Sequence, residues 1–239
     1  MQLIVDEGNT QIKLAVFDEN QTLREVFTVN TFDTVLSTIK KKFQINRVLL
    51  AGVGSHTDSL NQSLTKHFPE VYYLKSASEI ALPNQYKSIA TLGVDRLANA
   101  AFCIHQHKFP ALVIDCGTCL KFDLVDESGV YQGGSISPGL SMRFRAMHQF
   151  TEKLPELVPQ VKAIELVGNN TAESLLSGAQ LGMHFEIDGR IDNYLSQHSE
   201  LKIFITGGDA QYFVKGLKNN IFADPFLTLR GLNEILIHS

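Results

Sequence analysis

The chain opens with three short runs in which apolar and polar residues alternate, Gln2–Asp6, Gln11–Asp18 and Arg24–Val29, separated by Glu-Gly-Asn-Thr and Glu-Asn-Gln-Thr. Period-two alternation broken by turn residues predicts an antiparallel three-stranded meander. The pattern then changes. Phe32–Phe43 has helical spacing, Arg47–Val53 is a compact apolar strand, Asp58–Phe68 a second helix, and Val71–Leu74 a further strand. Strand and helix in alternation after a meander predict parallel additions to a mixed sheet.

The same programme then returns. Ala111–Asp115, Thr118–Val125 and Gly129–Ser135 form a second predicted meander, and a helix follows Pro138-Gly139. A long helix runs from Thr171 to Gln197, then a buried strand Leu201–Thr206, a short helix Gln211–Leu217, a strand Ile221–Ala223 and a closing helix Leu227–Ile237. Internal repetition of this kind sets the architecture. The reading is an α/β chain of two duplicated halves, 1–107 and 108–239, each a mixed sheet flanked by helices, with the helix Arg96–His107 carrying the chain from one to the other. On the long helix, Leu175, Gly178, Gly182, Phe185 and Ile191 are expected near one face, which suits either a core or a dimer seam.

Composition narrows the function. With 239 residues, 44% hydrophobic and 19% charged, the chain has enough material for two domains of roughly 100 residues, each with a core. A formal net charge of −4 gives no footprint for nucleic acid. The one basic cluster, Lys40-Lys41-Lys42, ends a predicted helix, where cations are favoured. No stretch approaches the roughly 18 apolar residues of a membrane span, and no basic leader precedes the first strand. A cytoplasmic protein with neither nucleic-acid nor membrane partners is expected. The cysteines Cys103, Cys116 and Cys119 do not make a disulfide framework.

Each half begins on the same corner: Asp6-Glu7-Gly8-Asn9-Thr10 in the first, Asp115-Cys116-Gly117-Thr118 in the second. In the first, Gly8 permits close backbone approach, Asn9 and Thr10 offer short polar groups to an anion, and Asp6 can hold Mg2+ through water. Lys13, on the returning strand, supplies a point charge for phosphate. One such corner alone reads as an ordinary β-turn. Two of them in matching halves can aim at one triphosphate across a cleft. Ahead of the connecting helix, Gly93-Val94-Asp95-Arg96 pairs a carboxylate able to take a hydroxyl proton with a guanidinium able to clamp a carboxylate. Asp95 is also a plain helix-capping residue, and both readings stand at this point.

The repeated corners, with Gly207-Gly208 after the strand ending at Thr206, resemble the phosphate and adenosine motifs of the acetate and sugar kinase, heat-shock-protein and actin superfamily. That resemblance implies RNase H-like (actin-like ATPase) halves with a cleft between them. The ordered set Asp6-x-Gly-Asn-Thr with Lys13, Gly93-x-Asp95-Arg96, Asp115-x-Gly117-Thr118, Gly133-Gly134-x-Ile136-x-Pro138-Gly139, Asn170-Thr171-x-x-Ser174 and Thr206-Gly207-Gly208 is similar to type III pantothenate kinases over essentially the whole chain. By resemblance, Asp6, Glu7, Gly8, Asn9, Thr10, Gln11, Ile12 and Lys13 would line ATP and Mg2+, with Thr118, Gly207 and Gly208 as further nucleotide contacts. Tyr86, Gly93, Val94, Asp95, Arg96 and Thr171 would bind pantothenate, with Asp95 as the general base on its primary hydroxyl. Asp115 would hold a monovalent cation, K+ or NH4+. Thr171 would act from the partner subunit of a homodimer. The product would be 4'-phosphopantothenate, at the first step of coenzyme A synthesis.

Two departures stand out. The family's second corner usually continues Gly-Thr-Ala-x-Thr, whereas here it reads Gly117-Thr118-Cys119-Leu120-Lys121. Lys121 is expected to snorkel to solvent; pointing inward, its ammonium would partly stand in for the cation. Cys116 and Cys119 form a C-x-x-C, for which small buried residues in chance register are the plain reading, since a zinc site needs two further ligands. Two other functions fit the same fold: a nucleotide-binding regulator without kinase activity, and a kinase of another small hydroxyl compound.

Overall fold

The computed structural model describes residues 1–8, 11–29, 32–52 and 56–239. It divides into two compact units, Met1–His107 with Leu227–Ser239, and Lys108–Phe226. The second half of the sequence and the second unit therefore differ by one element. The closing helix packs with the first unit, not with the half in which the sequence pattern places it.

In the first unit, β1 (Gln2–Glu7), β2 (Ile12–Phe17) and β3 (Leu23–Val29) form the meander. Helix α1 (Phe32–Lys42), β4 (Arg47–Gly52), α2 (Thr57–His67) and β5 (Val71–Leu74) follow, giving the sheet order β3-β2-β1-β4-β5. β1 pairs antiparallel with β2 and parallel with β4. Leu3, Val5, Leu14, Val16, Val48 and Leu50 share one core with Leu36 and Ile39 of α1 and Leu60 and Leu64 of α2. The alternate residues Ile4, Ala15 and Leu49 are buried too. Burial on both faces is what parallel strands require. Helix α7 (Leu227–Ile237) packs against β1 and β4, and α3 (Val94–His105) packs on α7. They approach closely because Gly231 has no side chain: a Cβ there would lie 1.8 Å from the Ala98 carbonyl oxygen. α3 begins two residues earlier than the expected Arg96, since Gly93 is its N-cap.

The second unit repeats the order. β6 (Ala111–Cys116), β7 (Cys119–Val125) and β8 (Tyr131–Pro138) form the meander, and β9 (Lys202–Thr206) and β10 (Phe222–Ala223) complete a sheet ordered β10-β9-β6-β7-β8. Leu112, Ile114, Cys116, Leu120, Phe122, Ile203 and Ile205 form its core with Leu140 and Phe144 of α4 (Leu140–Gln149) and with α6 (Gly182–Gln197). The two meanders also share a turn. Asp18 accepts from the amides of Asn20 and Thr22, and Asp126 from those of Ser128 and Val130. The third turn position has positive φ in both, Gln21 at 62° and Gly129 at 73°. Because Gly129 lies in the turn, β8 starts at Tyr131 and not at the expected Gly129.

Two other expectations need correction. The long helix is not continuous α: α5 (Thr171–Leu176) passes into a π-turn at Ser177–Leu181 before α6. The wider turn rotates the helix face, so Met183, Ile187 and Ile191 are buried while Phe185 and Gly178 face outward. The short helix expected at Gln211–Leu217 is a single 3-10 turn, Ala210–Tyr212. Buried Phe213 and the close seat of Gly216 on His184 hold the rest as turns. Among the described residues no helix is long and apolar enough to cross a membrane.

Gly231→Ala is expected to cost about 1–3 kcal/mol in urea unfolding, because two helix backbones must separate. Gly189→Ala, at an exposed position of α6 with nothing within 4 Å of its Cβ, should instead stabilise by roughly 0.5–1 kcal/mol. A Gly231→Ala chain as stable as its parent would contradict the seating of α7 on α3.

Candidate active site

The clearest constellation surrounds the C-terminal end of β6. Asp115 lies opposite Lys121 of β7 on one side and Thr206 of β9 on the other. Lys121 Nζ is 2.7 Å from Asp115 Oδ2, with the two side chains 14% and 10% exposed. Lys121 therefore does not reach for solvent as expected. It stands on an inner strand of the sheet, directly across from a carboxylate on the same face, and a buried ammonium takes the nearest counter-charge. Asp115 Oδ1 meets the main chain on two sides: a Cβ on Gly117 would lie 3.1 Å from it, and one on Gly207 2.6 Å. Gly207 has φ +93°, a conformation glycine adopts freely.

Two more segments close on the same strand end. A Cβ on Gly139, the N-cap of α4, would sit 2.3 Å from the Gly117 carbonyl oxygen, and the Gly139 amide donates to Thr118 O at 3.2 Å. Past β9, the Asp209 amide donates to Cys116 O at 2.9 Å. Hairpin corner, helix start and strand exit thus converge with hardly a side chain between them. Thr118 and Gly208 remain exposed at the surface of this cradle, and a Cβ on Gly208 would meet nothing within 4 Å. Small residues beside a helix N-terminus suit a phosphorylated ligand. Burial raises the Asp209 carboxyl. Burial, with the charges of Asp115 and Asp209, pushes the Cys116 thiol far up.

The first unit has a matching corner. Asp6 pairs in register with Lys13 of β2 and Ala51 of β4, as Asp115 pairs with Lys121 and Thr206. Lys121 is thus the register counterpart of Lys13, on a connection one residue shorter. The match follows from the strand register and not from residue spacing, since the two hairpin connections differ in length. The Gly8 amide donates to Gln11 O at 3.1 Å. Asn9 and Thr10 lie outside the described residues. Glu7 turns to the opposite face and is buried. Its carboxylate accepts from Thr57 Oγ1 and from the His56 amide at the start of α2, and Gly52 leaves room for it. Glu7 clasps β1, β4 and α2.

At the start of α3, Asp95 Oδ1 accepts from the Arg96 amide at 2.9 Å, and a Cβ on Gly93 would lie 2.4 Å from that oxygen. Arg96 is only 4% exposed, and its guanidinium carbon lies 5.6 Å from the centre of the Tyr86 ring. One place in the first unit thus joins Tyr86, Gly93, Val94, Asp95 and Arg96. Thr171 is the first residue of α5, exposed, behind the Asn170 cap that accepts from the Glu173 amide at 3.0 Å. Among the described residues no three His, Cys, Asp or Glu side chains gather as metal ligands. Gly139, Thr206 and Asp209 are not among the expected site residues, since their part in the cradle is set by main-chain packing.

The family model described as type III pantothenate kinase matches residues 2–193. The type III pantothenate kinase of Christiangramia forsetii is 41% identical over 99% of this chain and 98% of its own length. That of Bacteroides fragilis is 39% identical over 99% and 97%. Among solved structures, a protein of Campylobacter jejuni described as a Baf family transcriptional activator aligns over 99% of this chain and 98% of its own, with TM-score 0.66 and 19% identity. The activator of 2-hydroxyisocaproyl-CoA dehydratase from Clostridium difficile, with bound ADPNP, aligns over 99% and 93%, with TM-score 0.53 and 12% identity. These two share the fold.

The placement of the cysteines makes a prediction. Cys116 is fully buried with a raised thiol and Cys103 is buried, whereas Cys119 is partly exposed. A chromogenic disulfide reagent at neutral pH should titrate Cys119 first, and all three thiols only in denaturant. Fast, coupled oxidation of Cys116 and Cys119 to a disulfide would instead give the pair a redox role.

Proposed function

The chain belongs to the type III pantothenate kinase family, and we propose that its residues carry that family's reaction, with Asp95 taking the proton from the hydroxyl of pantothenate. The reaction is phosphorylation by ATP at the first step of coenzyme A synthesis. One observation carries the assignment of roles: a carboxylate, a buried guanidinium and an aromatic ring meet at the start of α3. Arg96 is suited to the carboxylate of pantothenate and Tyr86 to its apolar body. The Arg96 amide fixes the Asp95 carboxylate, so the base is oriented by its own helix.

Phosphoryl transfer asks a protein mainly to place groups and balance charge. Close main-chain packing at Gly117, Gly139 and Gly207 draws three segments together and leaves Thr118 and Gly208 exposed beside them, a surface of small residues that suits a nucleotide. When bound, MgATP supplies the phosphoryl group and a divalent cation that spreads its charge. Asp6 would hold that cation through water, Lys13 would balance phosphate charge, and Gly8, Asn9, Thr10, Gln11 and Ile12 would line the phosphates. Thr118 and Gly207-Gly208 would face the nucleotide, the glycines at its adenosine. Glu7 would contribute by holding the corner in place. Three thiols outside any disulfide suit a cytoplasmic setting.

We infer a homodimer in which Thr171 serves the partner's substrate. Its support is the apolar surface of the second unit, where Phe150, Val158, Val161, Leu166, Val167 and Phe185 are all more than half exposed. So many large apolar side chains left in water within one unit suit an association surface.

Two measurements test these roles. In a coupled ADP-release assay with ATP, Mg2+ and pantothenate, Asp95→Asn should lower kcat by about 10²–10⁴-fold and leave ATP affinity by calorimetry unchanged. Full activity in that variant would remove Asp95 from the mechanism. ATP binding without turnover by the parent would make the chain a nucleotide binder. In sedimentation, Phe150→Glu combined with Phe185→Glu should convert dimer to monomer and reduce turnover; a parent that sediments as a monomer would end the dimer reading.

A further inference from the structure

The monovalent ion that the resemblance assigns to Asp115 does not fit the residues around that carboxylate. Oδ2 already holds a cation, the Lys121 ammonium, at 2.7 Å. Oδ1 faces the main chain at Gly117 and Gly207, where even a methyl group would come within 3.1 and 2.6 Å. A second cation at Oδ2 would stand against the ammonium in a poorly solvated place, where like charges repel strongly. Lys121 is built in: it lies opposite Asp115 in the β6–β7 register, its stem runs across the sheet, and its side chain is 14% exposed. A primary ammonium on a tether presents the same charge and N–H donors as an ammonium ion, with one hydrogen exchanged for carbon. Tethering fixes its local concentration whatever the salt.

We propose that the Lys121 ammonium is an internal replacement for the monovalent cation at Asp115, so that phosphoryl transfer by this chain needs no added potassium or ammonium. This rests on the pantothenate kinase reading for its activity assay but not for its melting assay. Lys121 acts as a positioning residue: it neutralises Asp115 and holds it beside the glycine cradle, the task otherwise given to a diffusible ion.

The test uses the full chain in potassium-free buffer, with tetramethylammonium as the bulky counter-ion. Adding potassium or ammonium should change the parent's turnover by less than about twofold. Lys121→Ala opens a space beside Asp115, and should lose about tenfold or more without potassium and recover most of it with potassium or ammonium. Lys121→Met fills the space without charge and should be slow in every salt. Melting gives a readout independent of turnover: potassium should raise the Tm of Lys121→Ala and leave that of the parent unmoved. A parent whose turnover or Tm depends on potassium would overturn the proposal even if neither variant folds. So would a folded Lys121→Ala chain indifferent to potassium in both assays. If the parent turns over pantothenate in no salt, the substrate reading fails, and the melting comparison still decides the cation question.

Discussion

A strand hydrogen-bonded along both edges has nowhere to slide, and β1 and β6 are such strands. Each is held on one side by the antiparallel return of its own hairpin and on the other by a parallel strand from far along the chain. A one-residue slip would turn every core residue to the wrong face, so the register is fixed by burial on both faces. The carboxylates at the ends of these strands, Asp6 and Asp115, are therefore among the most firmly located polar groups in their units. The lysines across from them, and the glycines around Asp115, are placed relative to that fixed point. The chemistry proposed for this chain depends less on any loop than on this double pairing.

The two corners are related by duplication but have diverged in how they are filled. At the position after the aspartate, the first half has Glu7, which ties the strand to the start of α2, and the second has Cys116, which joins the apolar core. The first corner is braced by polar bonds, the second by packing and by three close approaches of glycine backbone. Lys121 forms an ion pair with its aspartate, on the shorter of the two connections. A position proposed to balance phosphate charge in one half can thus satisfy its own corner in the other, with no change in the sheet.

Much of this was legible in the sequence because period-two and helical patterns are long-range averages. The meanders, β5 and α7 follow the pattern closely, and the Asp-x-Gly corners revealed the duplication. Local packing was less visible. The π-turn at Ser177–Leu181 shifted the helix face by the extra residue in one turn, which no periodicity count detects in advance. The seat of α7 on α3 is set by the missing side chain of Gly231, a residue that by itself reads only as a weak spot in a helix. The Tyr86–Arg96 contact joins a loop and a helix; Tyr86 was named only through family resemblance, and its place beside Arg96 is seen only in the fold. The ion pair of Lys121 was hidden because the second hairpin connection is one residue shorter than the first, so its register could not be carried over from one corner to the other.

The return of α7 to the first unit makes that unit discontinuous in sequence, with the whole of the second unit inserted between its parts. During synthesis the second unit is complete once residue 226 has emerged, while the first still lacks the helix that covers β1 and β4. The order of completion therefore runs opposite to the order of synthesis: the segment translated first is the last to be sealed. Until then its exposed sheet face is the part of the nascent chain most open to proteases and chaperones.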